Sequence, residues 1–137
     1  MAGLNMNVEG NLTANDWLWS KSGIGTDVAT PIISSGRVYI VNFGGKMWCL
    51  DLQTGEEIWQ SELPDVKGMF YSSPTLAGNM LYICSDEGSF YVCEIIENGI
   101  KLVNQTKFED NFVATPVLVQ DKILLRGTAN LYCIGKN

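Results

Sequence analysis

Apolar residues in this chain gather in short runs rich in Val, Ile, Leu and Tyr, and Gly, Asn, Asp and Ser break these runs every few residues. No stretch keeps a helical period. This punctuation predicts short strands joined by tight turns. The runs also recur: ATPIISSGRVYIVN (29–42), SSPTLAGNMLYICS (72–85) and ATPVLVQDKILLRG (114–127) align without gaps through Pro31, Pro74 and Pro116, 43 and 42 residues apart. Behind each stands a second match, GKMWCLD (45–51), GSFYVCE (88–94) and the shorter NLYCIG (130–135). A third match, TGEEIWQ (54–60), is echoed by NGIKLVN (98–104), with Asn98 for Thr, Val103 for Trp and, just before, Glu94 for Asp.

Each repeat reads as four antiparallel strands, and proline opens the first strand, where its missing N–H does least harm to a ladder. Four-stranded units of about 40 to 45 residues are the mark of β-propeller blades. A sandwich of independent hairpins gives no reason for so regular a period. The expected organisation is one all-β partial propeller: an outer strand of a permuted blade at 16–21, blades at 28–61 and 71–106, and three strands of a last blade at 114–134. That is three blades' worth of strands, 12 in all, with the two ends out of phase. Three blades cannot close a ring, and an open arc exposes two apolar faces and a sheet edge. A twofold pair, in which each N-terminal strand completes the partner's last blade, gives a six-bladed dimer. The rival expectation is a piece of a longer propeller.

The stretch CLDLQTGEEIW (49–59) places an acid, a Thr-Gly pair and a tryptophan close together, as a binding loop would. Its apolar ends make it a hairpin instead. Asp51 can accept hydrogen bonds from backbone N–H groups of the turn, Thr54 sits inside it, and Gly55 can take the positive φ such connections need. Trp59 then lies on the outermost strand, and the near-copy DWLW places Trp19 in the same position on a preceding strand.

At these residues the chain resembles the PQQ-binding-like β-propeller repeat family (PQQ is pyrroloquinoline quinone). Its blades carry a small residue, Leu, Asp, two variable positions, Thr-Gly and, four residues on, Trp, which Cys49, Leu50, Asp51, Thr54, Gly55 and Trp59 match. The resemblance implies that Trp59 and Trp19 dock between adjacent blades. It extends over nearly the whole chain, and the final LYCI strand is similar to the closing blade of bacterial members.

Composition narrows the function. With 46% hydrophobic and 18% charged residues in 137, the chain is long enough for one folded domain. A net charge of −6 with no basic run gives no footprint for nucleic acid or anionic membrane. The absence of histidine removes Ser-His-Asp triads and the usual catalytic zinc sites. Cys49, Cys84, Cys93 and Cys133 lie singly in apolar runs and read as buried free thiols, with a disulfide between neighbouring strands as the alternative. No apolar run reaches the roughly 18 residues that cross a membrane, and the start shows no signal-peptide pattern, so a soluble chain is expected.

Three functional classes stand against one another: two come from the family resemblance, and the third is a structural or assembly chain with no ligand at all. In the quinone-dependent alcohol dehydrogenases PQQ lies between a Trp and a vicinal disulfide beside calcium, and this chain has neither adjacent cysteines nor a recognisable carboxylate cluster. Similarity to the propeller of outer-membrane protein assembly implies a non-catalytic binding or scaffolding module, without cofactor or metal, in the periplasm or outside the cell. Propeller loops gather on one face, here 23–26, 42–45, 64–70, 86–88, 108–112 and 127–130. Phe70, Tyr71, Phe108 and Phe112 are the candidate aromatic contacts for a protein partner, and Asp65, Asp86, Glu87 and Asp110 the polar ones. A fragment of a PQQ-dependent dehydrogenase-like or other larger exported propeller, with no activity of its own, is the alternative.

Overall fold

The short apolar runs do become strands, because β-branched and aromatic residues fit a pleated surface buried on both sides. In the computed structural model, which describes residues 1–5, 7 and 9–135, the chain is all-β with one 3₁₀ turn at Ala14–Asp16. β1 (Ala2–Leu4) pairs with β2 (Trp17–Ser20). A first blade holds β3 (Ile32–Ser34), β4 (Arg37–Val41), β5 (Lys46–Asp51) and β6 (Glu57–Glu62) in sequential antiparallel order. A second holds β7 (Thr75–Ala77), β8 (Met80–Cys84), β9 (Ser89–Ile96) and β10 (Gly99–Lys107). The last sheet has three strands, β11 (Val117–Val119), β12 (Lys122–Arg126) and β13 (Leu131–Gly135).

Pro31, Pro74 and Pro116 each stand one residue before a blade's first strand, outside the ladder. The first hairpin closes at Ser35–Gly36, whose φ values of 50° and 74° put both residues in the left-handed region, as a two-residue turn matched to the right-handed twist of its strands requires. Main-chain and side-chain bonds then tie blade to blade: Thr30 N–H donates to Ser73 Oγ at 2.9 Å, and Thr75 Oγ1 donates to the Pro116 carbonyl at 2.5 Å.

Successive sheets stack through three apolar layers. Trp19 packs with Val38, Ile40, Trp48 and Leu50 between the N-terminal hairpin and the first blade. Tyr39, Val41, Met47, Cys49, Trp59, Phe70, Leu81, Ile83, Tyr91 and Cys93 fill the space between the two complete blades. Cys84, Phe90, Phe112 and Leu125, with Phe108, Ile123, Tyr132 and Ile134 at their edge, join the second blade to the last sheet. Strand residues alternate between the two layers, which is why interior strands such as Met47–Leu50 read as unbroken apolar runs.

Two features differ from the expectation. There are 13 strands among the described residues, the extra one being β1. It forms because the edge of β2 offers unpaired backbone groups, and Gly3 lets the Trp19 ring lie against the backbone: a Cβ on Gly3 would meet Trp19 Nε1 at 2.6 Å. The second difference is the position equivalent to Trp59 in the second blade. In β5–β6, Cys49 pairs with Trp59 and Leu50 with Glu57, so Ile58 bulges out; in β9–β10, Val92 pairs with Asn104 and Cys93 with Leu102, so Val103 is the bulged residue. Asn104, not Val103, therefore holds the tryptophan's place.

Candidate functional site

The CLDLQTGEEIW hairpin is a self-contained turn. Asp51 Oδ1 accepts from the N–H groups of Gln53 and Thr54, both at 2.9 Å, and from Thr54 Oγ1 at 3.2 Å. These bonds, the Thr54 N–H first and the Gln53 N–H next, outweigh desolvation and hold the Asp51 carboxyl below its ordinary range. Gly55 sits at φ 69°, and a Cβ there would run into the Trp19 ring. Trp19 completes the arrangement by donating from Nε1 to the Leu52 carbonyl at 2.8 Å. Asp51 Oδ1 and the Thr54 hydroxyl are thus engaged within their own turn, the hydroxyl also accepting from Glu56 N–H at 3.2 Å.

Trp59 is docked differently. It is buried beside Tyr39, with ring centroids 6.1 Å apart, but its Nε1 has no hydrogen-bond partner. In the second blade the six-residue turn is replaced by a tight one at Glu97–Asn98, because β9 and β10 pair up to Ile96 and Gly99. The broad turn that supplies Trp19 with both a glycine bed and a carbonyl is absent there.

The expected loop face divides into a core and a rim. Phe70 and Phe112 are fully buried, so neither is a surface contact. Phe70 packs on Tyr91 at 5.7 Å between ring centroids, and Phe112 meets Phe108 at 5.5 Å and Tyr132 at 5.8 Å. These loops fold back under the blades, and burial of a large ring outweighs loop exposure. Asp110 is also turned inward, contrary to a role as an exposed contact. Its Oδ1 accepts from Asn111 N–H (2.8 Å), Thr128 Oγ1 (2.9 Å) and Ala129 N–H (3.1 Å), and its Oδ2 from Asn130 N–H (3.0 Å), Asn130 Nδ2 (3.3 Å) and Tyr132 O–H (3.2 Å). Desolvation, which would raise its pKa, is overcome by these donors, the Ala129 and Asn111 N–H groups foremost, and the carboxyl is held far below the usual range. Asp110 is a staple between the 108–112 and 127–130 loops.

Asp86 also serves the backbone: its Oδ1 accepts from Met69 N–H at 2.6 Å, and its carbonyl takes Asn111 Nδ2 at 2.5 Å. The accessible rim consists of exposed Asp65 and Glu87 with half-buried Tyr71 and Phe108. Tyr71 packs against Phe43 with the rings tilted and their centroids 4.9 Å apart. Glu87, Lys107, Phe108, Glu109 and Asn111 border a polar recess of about 380 Å³ that ends on Asp110. Lys107 Nζ donates to the Glu87 carbonyl across its edge.

Nothing in this donor set suits the quinone or its calcium. Cys49, Cys84, Cys93 and Cys133 stand on β5, β8, β9 and β13, all as free thiols, so no vicinal disulfide can form, and among the described residues no three Asp, Glu or Cys converge as metal ligands.

Comparison with known proteins agrees with this architecture. The sequence model of the outer membrane protein assembly factor BamB family matches residues 11–134. The chain belongs to this family. It is a PQQ-like propeller-repeat chain, similar to the BamB of Escherichia coli (strain K12) at 25% identity over 96 residues, 70% of this chain and 23% of that protein. It thus spans about a quarter of the length of the BamB relatives it matches. Among solved structures, BamB from Moraxella catarrhalis superposes with a TM-score of 0.58 at 18% identity, over 77% of this chain and 32% of that one. The computationally designed Ika4 protein gives 0.69 at 11% identity, over 88% and 73%. These likenesses show the fold.

Proposed function

We propose that this chain acts as a non-catalytic protein-binding segment in the assembly of outer-membrane proteins, on the periplasmic or extracellular side. The match of residues 11–134 to the assembly-factor family carries the reading. The chemistry of the chain is consistent with it, since its two most strongly hydrogen-bonded carboxylates, Asp51 and Asp110, are spent on loop structure. Binding falls to the rim, where Tyr71 and Phe108 offer apolar edges beside Asp65 and Glu87, a combination suited to a partner with basic and aromatic side chains. In this reading the chain associates with itself, two copies completing six blades.

The span of 23% of the curated relative favours a second reading, a segment of a larger exported propeller whose binding face includes blades beyond these. Export of the chain to the periplasm, in-cell crosslinking and capture distinguish the outcomes. A defined partner lost in Tyr71→Ala and Glu87→Lys supports the rim as the binding face. A partner unaffected by both variants contradicts it, as does dye-linked alcohol oxidation on addition of PQQ and calcium.

A further inference from the structure

β1 occupies, by register, the place of a third blade strand. Gly3 pairs with Trp19 and Leu4 with Trp17, leaving Leu18 bulged, just as Cys49 pairs with Trp59 and Leu50 with Glu57, leaving Ile58 bulged. β1 stands to β2 as β5 stands to β6. Yet β1 has three residues where β5 has six, and its central residue has no side chain to pack. Beyond it, where a complete blade has its first two strands, lies an apolar cavity of about 330 Å³ lined by Leu4, Leu18, Trp19, Ile33, Val38 and Leu52. Ile33 is 64% exposed there, whereas its repeat counterpart Leu76 packs into the layer between blades.

The other end presents the complement. β11–β13 are the first three strands of a blade, and the outer edge of β13 is unpaired among the described residues. β13 reads Leu131-Tyr132-Cys133-Ile134 where β5 reads Met47-Trp48-Cys49-Leu50. Met47 and Cys49 are buried against the next blade at 1% and 0% exposure, whereas Leu131 is 65% exposed and Cys133 is open to solvent. Among the described residues, one end thus presents a blade's fourth strand with only the β1 stand-in beside it, and the other presents the first three strands without a fourth.

We infer that β1 is a placeholder and that β13 of a second copy displaces it from β2. The inference rests on the proposed self-association and specifies its contacts. Transferring the β5–β6 register puts Cys133 opposite Trp19 and Leu131 opposite Lys21, with the Trp19 ring posed as Trp59 is beside Cys49. β11 and β12 of that copy then cover the cavity before Val38. Repeated by twofold symmetry, the exchange yields six four-stranded blades, within the usual range for propellers. It replaces a three-residue strand with a five-residue one, pairs an open edge and removes two apolar faces from water.

Directly opposed strand residues lie close enough for a disulfide. Lys21→Cys and Leu131→Cys, each made in a Cys133→Ser background, are mixed, oxidised and run on a non-reducing gel. A band at about 30 kDa, twice the 15.1 kDa chain, that appears in the mixture and in neither variant alone is the expected result. Gly3→Val, which forces β1 off the Trp19 ring, should raise its yield. A dimer by light scattering with no such band overturns the strand exchange and leaves self-association standing. A monomer with no band overturns both.

Discussion

Trp19 and Leu52 are joined across two sheets, the indole N–H of one donating to the main-chain carbonyl of the other at 2.8 Å. Trp59, its repeat counterpart, is equally buried but leaves its N–H unpartnered. The two tryptophans should therefore respond differently to the same change. Trp19→Phe loses a hydrogen bond of about 1 kcal/mol and strands a carbonyl, while Trp59→Phe removes an orphan donor and should cost less than Trp19→Phe. Removal of the whole ring by Trp59→Ala should cost about 3–5 kcal/mol. Urea denaturation of the three variants checks the order; equal costs for the two Phe variants would contradict the assignment.

Gly55 is the bed on which Trp19 lies. Gly55→Ala meets both a left-handed φ of 69° and the ring itself. A loss of about 1–3 kcal/mol is expected, the range of an overpacked contact. Gly10, also at positive φ but with nothing within 4 Å, provides the control: Gly10→Ala pays the backbone strain alone and should be milder. A Gly55→Ala variant as stable as Gly10→Ala would show that Trp19 does not press on the turn.

Asp110 ties two loops together as a carboxylate, and its folded pKa lies below the unfolded value of about 3.9. Its contribution is therefore present above about pH 4 and is lost as the pH falls through the depressed folded value. Asp110→Asn should lower the melting temperature at pH 7 and flatten the fall in stability between pH 5 and pH 2. A pH profile parallel to that of the unmodified chain would contradict the staple.

The four thiols should separate kinetically. Burial pushes Cys84 up to about 12 and Cys93 to about 11; it also raises Cys49, against the opposing Arg37 charge and the hydrogen bond from Tyr39. Only the thiolate reacts, so these three should resist a disulfide reagent in the native state. Exposed Cys133 alone should label quickly, and more slowly as the protein concentration rises if the proposed strand exchange covers it. Fast labelling of two or more thiols would point to an open blade stack.

The blades were readable from sequence because each apolar run serves two buried faces and each turn carries Gly, Asn or Asp. β1 was not readable: Ala2-Gly3-Leu4 has no strand character of its own and pairs only because β2 offers an edge. The place of Asn104 was missed because a one-residue bulge leaves no mark in a gapless alignment. At the loop face, Phe70, Asp110 and Phe112 look like contact residues in a linear reading. Their partners Tyr91, Ala129, Asn130 and Tyr132 stand some 20 residues further along, and only the fold brings them together.

The complementarity of the two chain ends is tested most directly by the mass of the 137-residue chain in solution, measured by light scattering after size exclusion over a series of concentrations. A particle of about 30 kDa, twice 15.1 kDa, is predicted. A single species at 15.1 kDa throughout the micromolar range would contradict it.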